Sequence, residues 1–97
     1  MKKTDNNIQL GDAIKELLET YQLNVKLDEM KLIEGWEKIL GNVINKHTSQ
    51  LRVINRKLLV KLDSAALKNE LMYSRSKLVI SLNSYVGKEI IDDIVFN

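Results

Sequence analysis

One histidine, His47, stands beside Thr48, and two adjacent carboxylates, Asp92 and Asp93, lie near the other end of the chain. These are the groups from which acid–base chemistry would have to be built. His47 follows a stretch of helical periodicity, where an imidazole commonly bonds a terminal carbonyl, and this capping role is preferred to a catalytic one. Successive residues of a strand point to opposite faces, so Asp92 and Asp93 do not make a carboxylate pair on one substrate; solvent exposure is their expected state. Cysteine is absent, which removes thiol nucleophiles, disulfides and Cys-based zinc sites. The glycines, Gly11, Gly35, Gly41 and Gly87, are scattered and form neither a Walker-type phosphate loop nor GxGxxG. No enzymatic activity, cofactor or metal is expected.

Cations are the more informative group. The formal charge of +2 is the balance of −2 over residues 1–45, +7 over 46–88 and −3 over 89–97. A basic middle of this kind makes a local field that attracts phosphates; the alternative is a solvated face with no partner. The candidate phosphate contacts are Lys46, Arg52, Arg56, Lys57, Lys61, Lys68 and Arg75. Aromatic faces also stack on unpaired bases. Trp36, however, falls on an apolar helix face and reads as a core anchor, as do Tyr21 and Tyr85. Tyr73 lies off the leucine stripe of its helix, near Ile80, and is either a shoulder of the core or part of a contact surface.

The elements that position these residues follow from periodicity. At 97 residues, with 44% hydrophobic residues and no proline, the chain suits one modest core. The expected organisation is a flexible N-terminus over 1–9 and a single unit over 10–97. It has neither the apolar run of a signal peptide nor that of a membrane span, and reads as soluble and cytoplasmic, with no membrane partner. Asp12 is a plausible cap for a first helix with Ile14, Leu17, Leu18 and Tyr21 on its core face and a stop near Leu23 and Asn24. Asp28 can cap a second, whose apolar face combines Ile33, Trp36, Leu40, Val43 and Ile44. Gly41 within it marks a break, a close contact or the end of the helix.

After Thr48 the period changes to 2. Residues 51–54 and 58–62 read as a hairpin with Asn55, Arg56 and Lys57 between them. Asp63 or Ser64 caps a long third helix with Leu67, Leu71, Leu78, Leu82 and Tyr85 on one face, ending before Gly87. Ile90 to Phe96 supplies a last strand. The predicted fold is α+β, order ααββαβ, with a three-stranded sheet and helices packed on one face. Leu51, Val53, Leu58, Val60, Leu62, Ile94 and Phe96 would face the helices. Arg52, Ile54, Leu59, Lys61 and Val95 would form an open face, on which Ile54 and Leu59, together with Tyr73, Met72 and Ile80 elsewhere, are candidates for docking a protein partner.

Trp36 and Gly41, the pair His47-Thr48, the strand Leu58 to Leu62, Asp63 and Ser64 followed by Glu70 and Leu71, then Leu82, Asn83 and Gly87, closing on Ile94 and Phe96, resemble the DciA-type proteins, bacterial operators of the replicative helicase. The similarity runs from about Leu10 to Phe96. It implies a KH-like core with preceding helices, no catalytic activity, binding to single-stranded or branched DNA, and action on the replicative DNA helicase during loading. Gln50 stands where the family often has proline, and Asn55-Arg56-Lys57 where the turn often has glycine. The GxxG loop by which KH domains clamp a nucleic-acid backbone is absent, so that mode of binding is not carried over.

Overall fold

A computed structural model describes residues 6–97. Its elements are α1 (Asn6–Lys46), β1 (Thr48–Ile54), β2 (Lys57–Leu62), α2 (Ala65–Tyr73), α3 (Arg75–Val86) and β3 (Asp93–Phe96). The expected α+β class and three-stranded sheet are present, with the helices divided differently. The expectation for residues 1–9 falls partly outside the described residues, and α1 runs from Asn6.

The two N-terminal helices are one. Between Asp12 and Glu34 no proline or glycine interrupts the backbone, so the polar stretch around Asn24 does not end the helix. Asp12 and Asp28 are therefore interior residues and cap nothing. The break comes at Gly41, whose φ of 85° and ψ of 176° lie outside the helical region and kink α1 one turn before its end. Conversely, the long third helix is two. Ser74, at φ −99° and ψ 9°, closes α2 by donating its N–H to Leu71 O and at the same time opens α3. A serine between two helices competes with the helical ladder for hydrogen bonds, and a second serine follows at Ser76. Ser64, rather than Asp63, caps α2, its Oγ accepting from Leu67 N–H at 3.3 Å. Gly87 ends α3 in the left-handed conformation, at φ 90°, as its position suggested.

The sheet order is β1-β2-β3, β1 antiparallel and β3 parallel to the central β2. Two residues close the hairpin. Asn55 and Arg56 both take positive φ, 50° and 63°, which matches the strand twist of a tight hairpin. Lys57 consequently belongs to β2, not to the turn. The last strand is shorter than expected and starts at Asp93, because Ile90 and Ile91 are held instead by Asn83: its Oδ1 accepts from both N–H groups at 3.0 and 3.1 Å, and its Nδ2 donates to Ile91 O at 2.9 Å.

Leu32, Trp36, Leu58, Val60, Leu62, Leu71, Leu78, Leu82, Val86, Ile91 and Ile94 are buried in one core, with Leu40, Ile44, Leu51, Val53 and Phe96 packed against it. The helix-facing side of the sheet is the one the alternation indicated. Trp36 is fully buried, its ring centroid 6.4 Å from that of Phe96. Gly35 lets α3 approach, since a Cβ there would sit 2.8 Å from the Tyr85 ring. Other expected core positions are not core. Val43 is 68% exposed, Ile33 and Tyr85 are also exposed, and Ile14, Leu17, Leu18 and Tyr21 project beyond the body on the free part of α1. The molecule is accordingly long, 64 × 22 × 20 Å, its long dimension matching the roughly 60 Å of a 41-residue helix.

Candidate nucleic-acid interface on the open sheet face

The seven cations singled out above do not form one strip. In β1 and β2, side chains alternate between the core and the open side, and register places Gln50, Arg52 and Ile54 of β1 on the same side as Lys57, Leu59 and Lys61 of β2 and Val95 of β3. Arg52, Lys57 and Lys61 thus share one face and are exposed. Lys57 and Lys61, four residues apart on a strand, are separated by about 13 Å along it. Leu59 and Val95, both half-buried, lie side by side between the cations, and Ile54 is exposed at the hairpin end. Asp93, opposite Lys57 in the register and paired with Arg75, adds one carboxylate, so the surface is basic and apolar with a single acid at its edge.

Arg56 and Arg75 are committed elsewhere. Arg56 makes a bidentate pair with Asp92, Nε to Oδ2 at 3.0 Å and Nη2 to Oδ1 at 2.9 Å, while its carbonyl accepts from Asp92 N–H at 2.7 Å. Those hydrogen bonds, with the nearby charge of Lys57 adding to them, hold the Asp92 carboxyl below its ordinary pKa, and Asp92 in turn raises that of Arg56. Arg75 Nε lies 3.1 Å from Asp93 Oδ1. The two aspartates, expected to be simply solvated, serve two different arginines and tie the hairpin turn and the start of α3 to the last strand. Lys46 occupies the final turn of α1, where a cation complements the helix dipole, and Lys68 is half-buried on α2. Neither stands on the open sheet face.

His47 does not bond a helix carbonyl through its ring. Its Nδ1 lies 2.7 Å from Asp63 Oδ1, and the backbones of the same two residues are joined by Asp63 N–H donating to His47 O at 3.0 Å. The contact joins the end of α1 to the exit of β2. Trp36 Nε1–H donates to Thr48 Oγ1 at 3.1 Å, and the Thr48 hydroxyl donates to Ile44 O at 2.8 Å, so the pair spans the kink at Gly41. Among the described residues no group of three or more His, Asp or Glu side chains is placed to hold a metal, and no helix is long and apolar enough to cross a membrane.

Tyr73 is 92% exposed at the corner between α2 and α3, which makes it a surface residue rather than a shoulder of the core. Asn69, Met72 and Arg75 line a shallow cleft of about 260 Å³ with it. Ile80 is exposed on α3. Two further features are not legible in the sequence. Lys57 belongs to the open face, a placement the two-residue turn dictates. The second is the ion pair of Lys88 Nζ with Asp28 Oδ2 at 2.9 Å, 60 residues apart, for which no local signal exists.

The fold and its surface define a small α+β module whose exposed sheet face carries three cations around an apolar row. The family model described as "Dna[CI] antecedent, DciA" matches residues 9–96, and the chain belongs to the DciA family. That family takes part in loading of the replicative helicase in DNA replication. Comparison with curated proteins and with solved structures gives no significant match.

The residues that carry the family resemblance are, in this structure, those that hold the fold. Trp36 and Thr48 bridge the kink, Gly41 forms it, His47 and Asp63 staple it to the sheet, Ser64 caps α2, and Asn83 and Gly87 fold the segment after α3.

Proposed function

We propose that this protein is a non-catalytic accessory factor that binds single-stranded or branched DNA through the open sheet face and in this way assists loading of the replicative DNA helicase. The observation that carries the reading is the grouping of Arg52, Lys57 and Lys61 on one exposed face, around Leu59 and Val95. Cations contact phosphates, and an adjoining apolar row offers a surface for unstacked bases. Binding of this type tolerates any sequence and falls steeply with salt.

The test is a fluorescence-anisotropy titration of single-stranded, forked and duplex oligonucleotides at two salt concentrations. Replacing Arg52, Lys57 and Lys61 together by Ala is expected to weaken binding at least tenfold at low salt and to lower the salt slope by about two to three. Arg56 and Arg75 are unsuitable for this purpose, since their loss also frees Asp92 and Asp93. Unchanged affinity in the triple variant removes the sheet face from the site.

A second reading, an interaction module that docks on the helicase without touching DNA, is favoured by the exposure of Tyr73 and Ile80, 92% and 67%, on the helical side of the molecule. Recovery of the helicase from a nuclease-treated lysate, abolished by Tyr73→Ala and unaffected by the triple cation variant, would select it.

A further inference from the structure

From Leu10 to Thr20, α1 runs free of the body, and from Tyr21 to Val25 it borders a cleft with the hairpin; its apolar residues over this stretch are exposed: Leu10 61%, Ile14 50%, Leu17 70%, Leu18 56%, Tyr21 67% and Val25 37%. These positions are not scattered. On a helical wheel Ile14, Leu18, Tyr21 and Val25 fall within about 60° of Leu32 and Trp36, the two residues by which the same helix enters the core, and Leu10 and Leu17 widen the stripe on one side. The charged residues of this stretch, Asp12, Lys15, Glu16, Glu19 and Lys26, occupy the opposite arc. The core-facing stripe of α1 thus continues past the edge of the body, over the hairpin cleft at Tyr21 and Val25 and exposed from Leu18 to Leu10.

We propose that the free part of α1 is the dimer interface of this protein, paired antiparallel with the same segment of a second copy. The area supports it. The six side chains expose on the order of 600 Å² of surface, at the upper end of what a monomer leaves uncovered and, with the flanks of the helix, close to the roughly 800 Å² per partner of a stable interface. A self-complementary twofold contact needs only one patch.

Orientation follows from where the body sits. The stripe and the body are on the same side of α1, so in a parallel pair the two bodies would occupy the same space. In an antiparallel pair each body lies beyond the tip of the other's arm. With the twofold axis near Leu17 and Leu18, Leu10 of one copy comes opposite Val25 of the other, and Ile14 opposite Tyr21. There the arm meets a cleft of about 360 Å³ between α1 and the hairpin, in which Tyr21, Val25, Val53 and Ile90 are joined by Asp28, Glu29, Asn55, Arg56 and Glu89. The cleft gives the partner's tip a seat of mixed apolar and charged lining.

Light scattering on the full chain across a range of micromolar concentrations is expected to give twice the monomer mass. Leu18→Glu is expected to halve it while leaving the emission of the buried Trp36 unchanged, and Leu23→Glu, on the opposite side of the same helix, to leave the dimer intact. Because the chain lacks cysteine, orientation is read by oxidation: Leu10→Cys alone should stay uncrosslinked, whereas Leu10→Cys combined with Val25→Cys should give a covalent dimer. A monomeric mass at high-micromolar concentration, or equal dissociation by Leu18→Glu and Leu23→Glu, overturns the proposal. Crosslinking of Leu10→Cys alone overturns the antiparallel arrangement.

Discussion

Arg56 occupies the left-handed region, uncommon for a side chain other than Gly, Asn or Asp, and its guanidinium is spent on Asp92. The two facts belong together: the bidentate pair compensates a turn residue that glycine would adopt without cost. Asp92, with its folded pKa lowered by Arg56, binds a proton less readily in the native protein than in the unfolded chain. The pair's contribution to stability is therefore present above the ordinary carboxylate range and is lost as pH falls through the lowered folded value. Thermal melts from neutral pH down to about pH 2 should show an acid-dependent loss that is smaller in Asp92→Asn, and high salt should shrink the difference, the pair being exposed. A variant with the same acid profile as the parent would separate Asp92 from the stability of the turn. No sequence signal announces this pair, because 36 residues separate its members; composition revealed the cations, and only the fold reveals which of them are already spoken for.

At the scale of elements, the hairpin and the caps were the parts most legible in the sequence. Period-2 alternation on both sides of a polar stretch identifies the hairpin, and Ser64 and Gly87 are capping residues at capping positions. The helices were less so. Leu71 and Leu78 are seven residues apart, two full turns, and that spacing reads the same whether the helix is continuous or, as here, restarted at Ser74. Gly41 was open to three readings, and its φ of 85° decides for a break. Alanine at this position would carry a Cβ into a conformation that favours glycine, although nothing lies within 4 Å of the site. Gly41→Ala should therefore cost about 1–3 kcal/mol in chemical denaturation through backbone strain alone. If it proves neutral, the last turn of α1 straightens freely and the bridge from Trp36 to Thr48 does not fix the kink.

For the molecule as a whole, the amphipathic periodicity of residues 14–21 reads as a core face, and the structure leaves that face exposed, because periodicity gives a helix an apolar side without giving it a neighbour. The core begins only at Leu32. Stability should divide accordingly: Leu82→Ala, at a fully buried site between α1 and the sheet, should lose about 2–5 kcal/mol, followed by Trp36 emission in urea. Leu27→Ala, exposed and outside both the core and the stripe, should lose less than about 1 kcal/mol. Comparable losses at the two sites would mean that the whole of α1, not its second half, is part of one cooperative unit. The open sheet face, in contrast, was anticipated nearly residue for residue, because alternation in a strand assigns sides without knowledge of the partner.

The parallel pairing of β3 with the central strand has a temporal side. Ile94 is fully buried against elements made earlier, so Leu58, Val60 and Leu82 have an incomplete lining until the final strand is available. During synthesis the long first helix emerges well before anything that shelters its apolar stripe, and the hairpin before the strand that flanks it. Closure of the body is thus deferred until β3 has emerged, and a nascent chain halted before Asp93 would expose a sticky helix and an unfinished sheet edge at once.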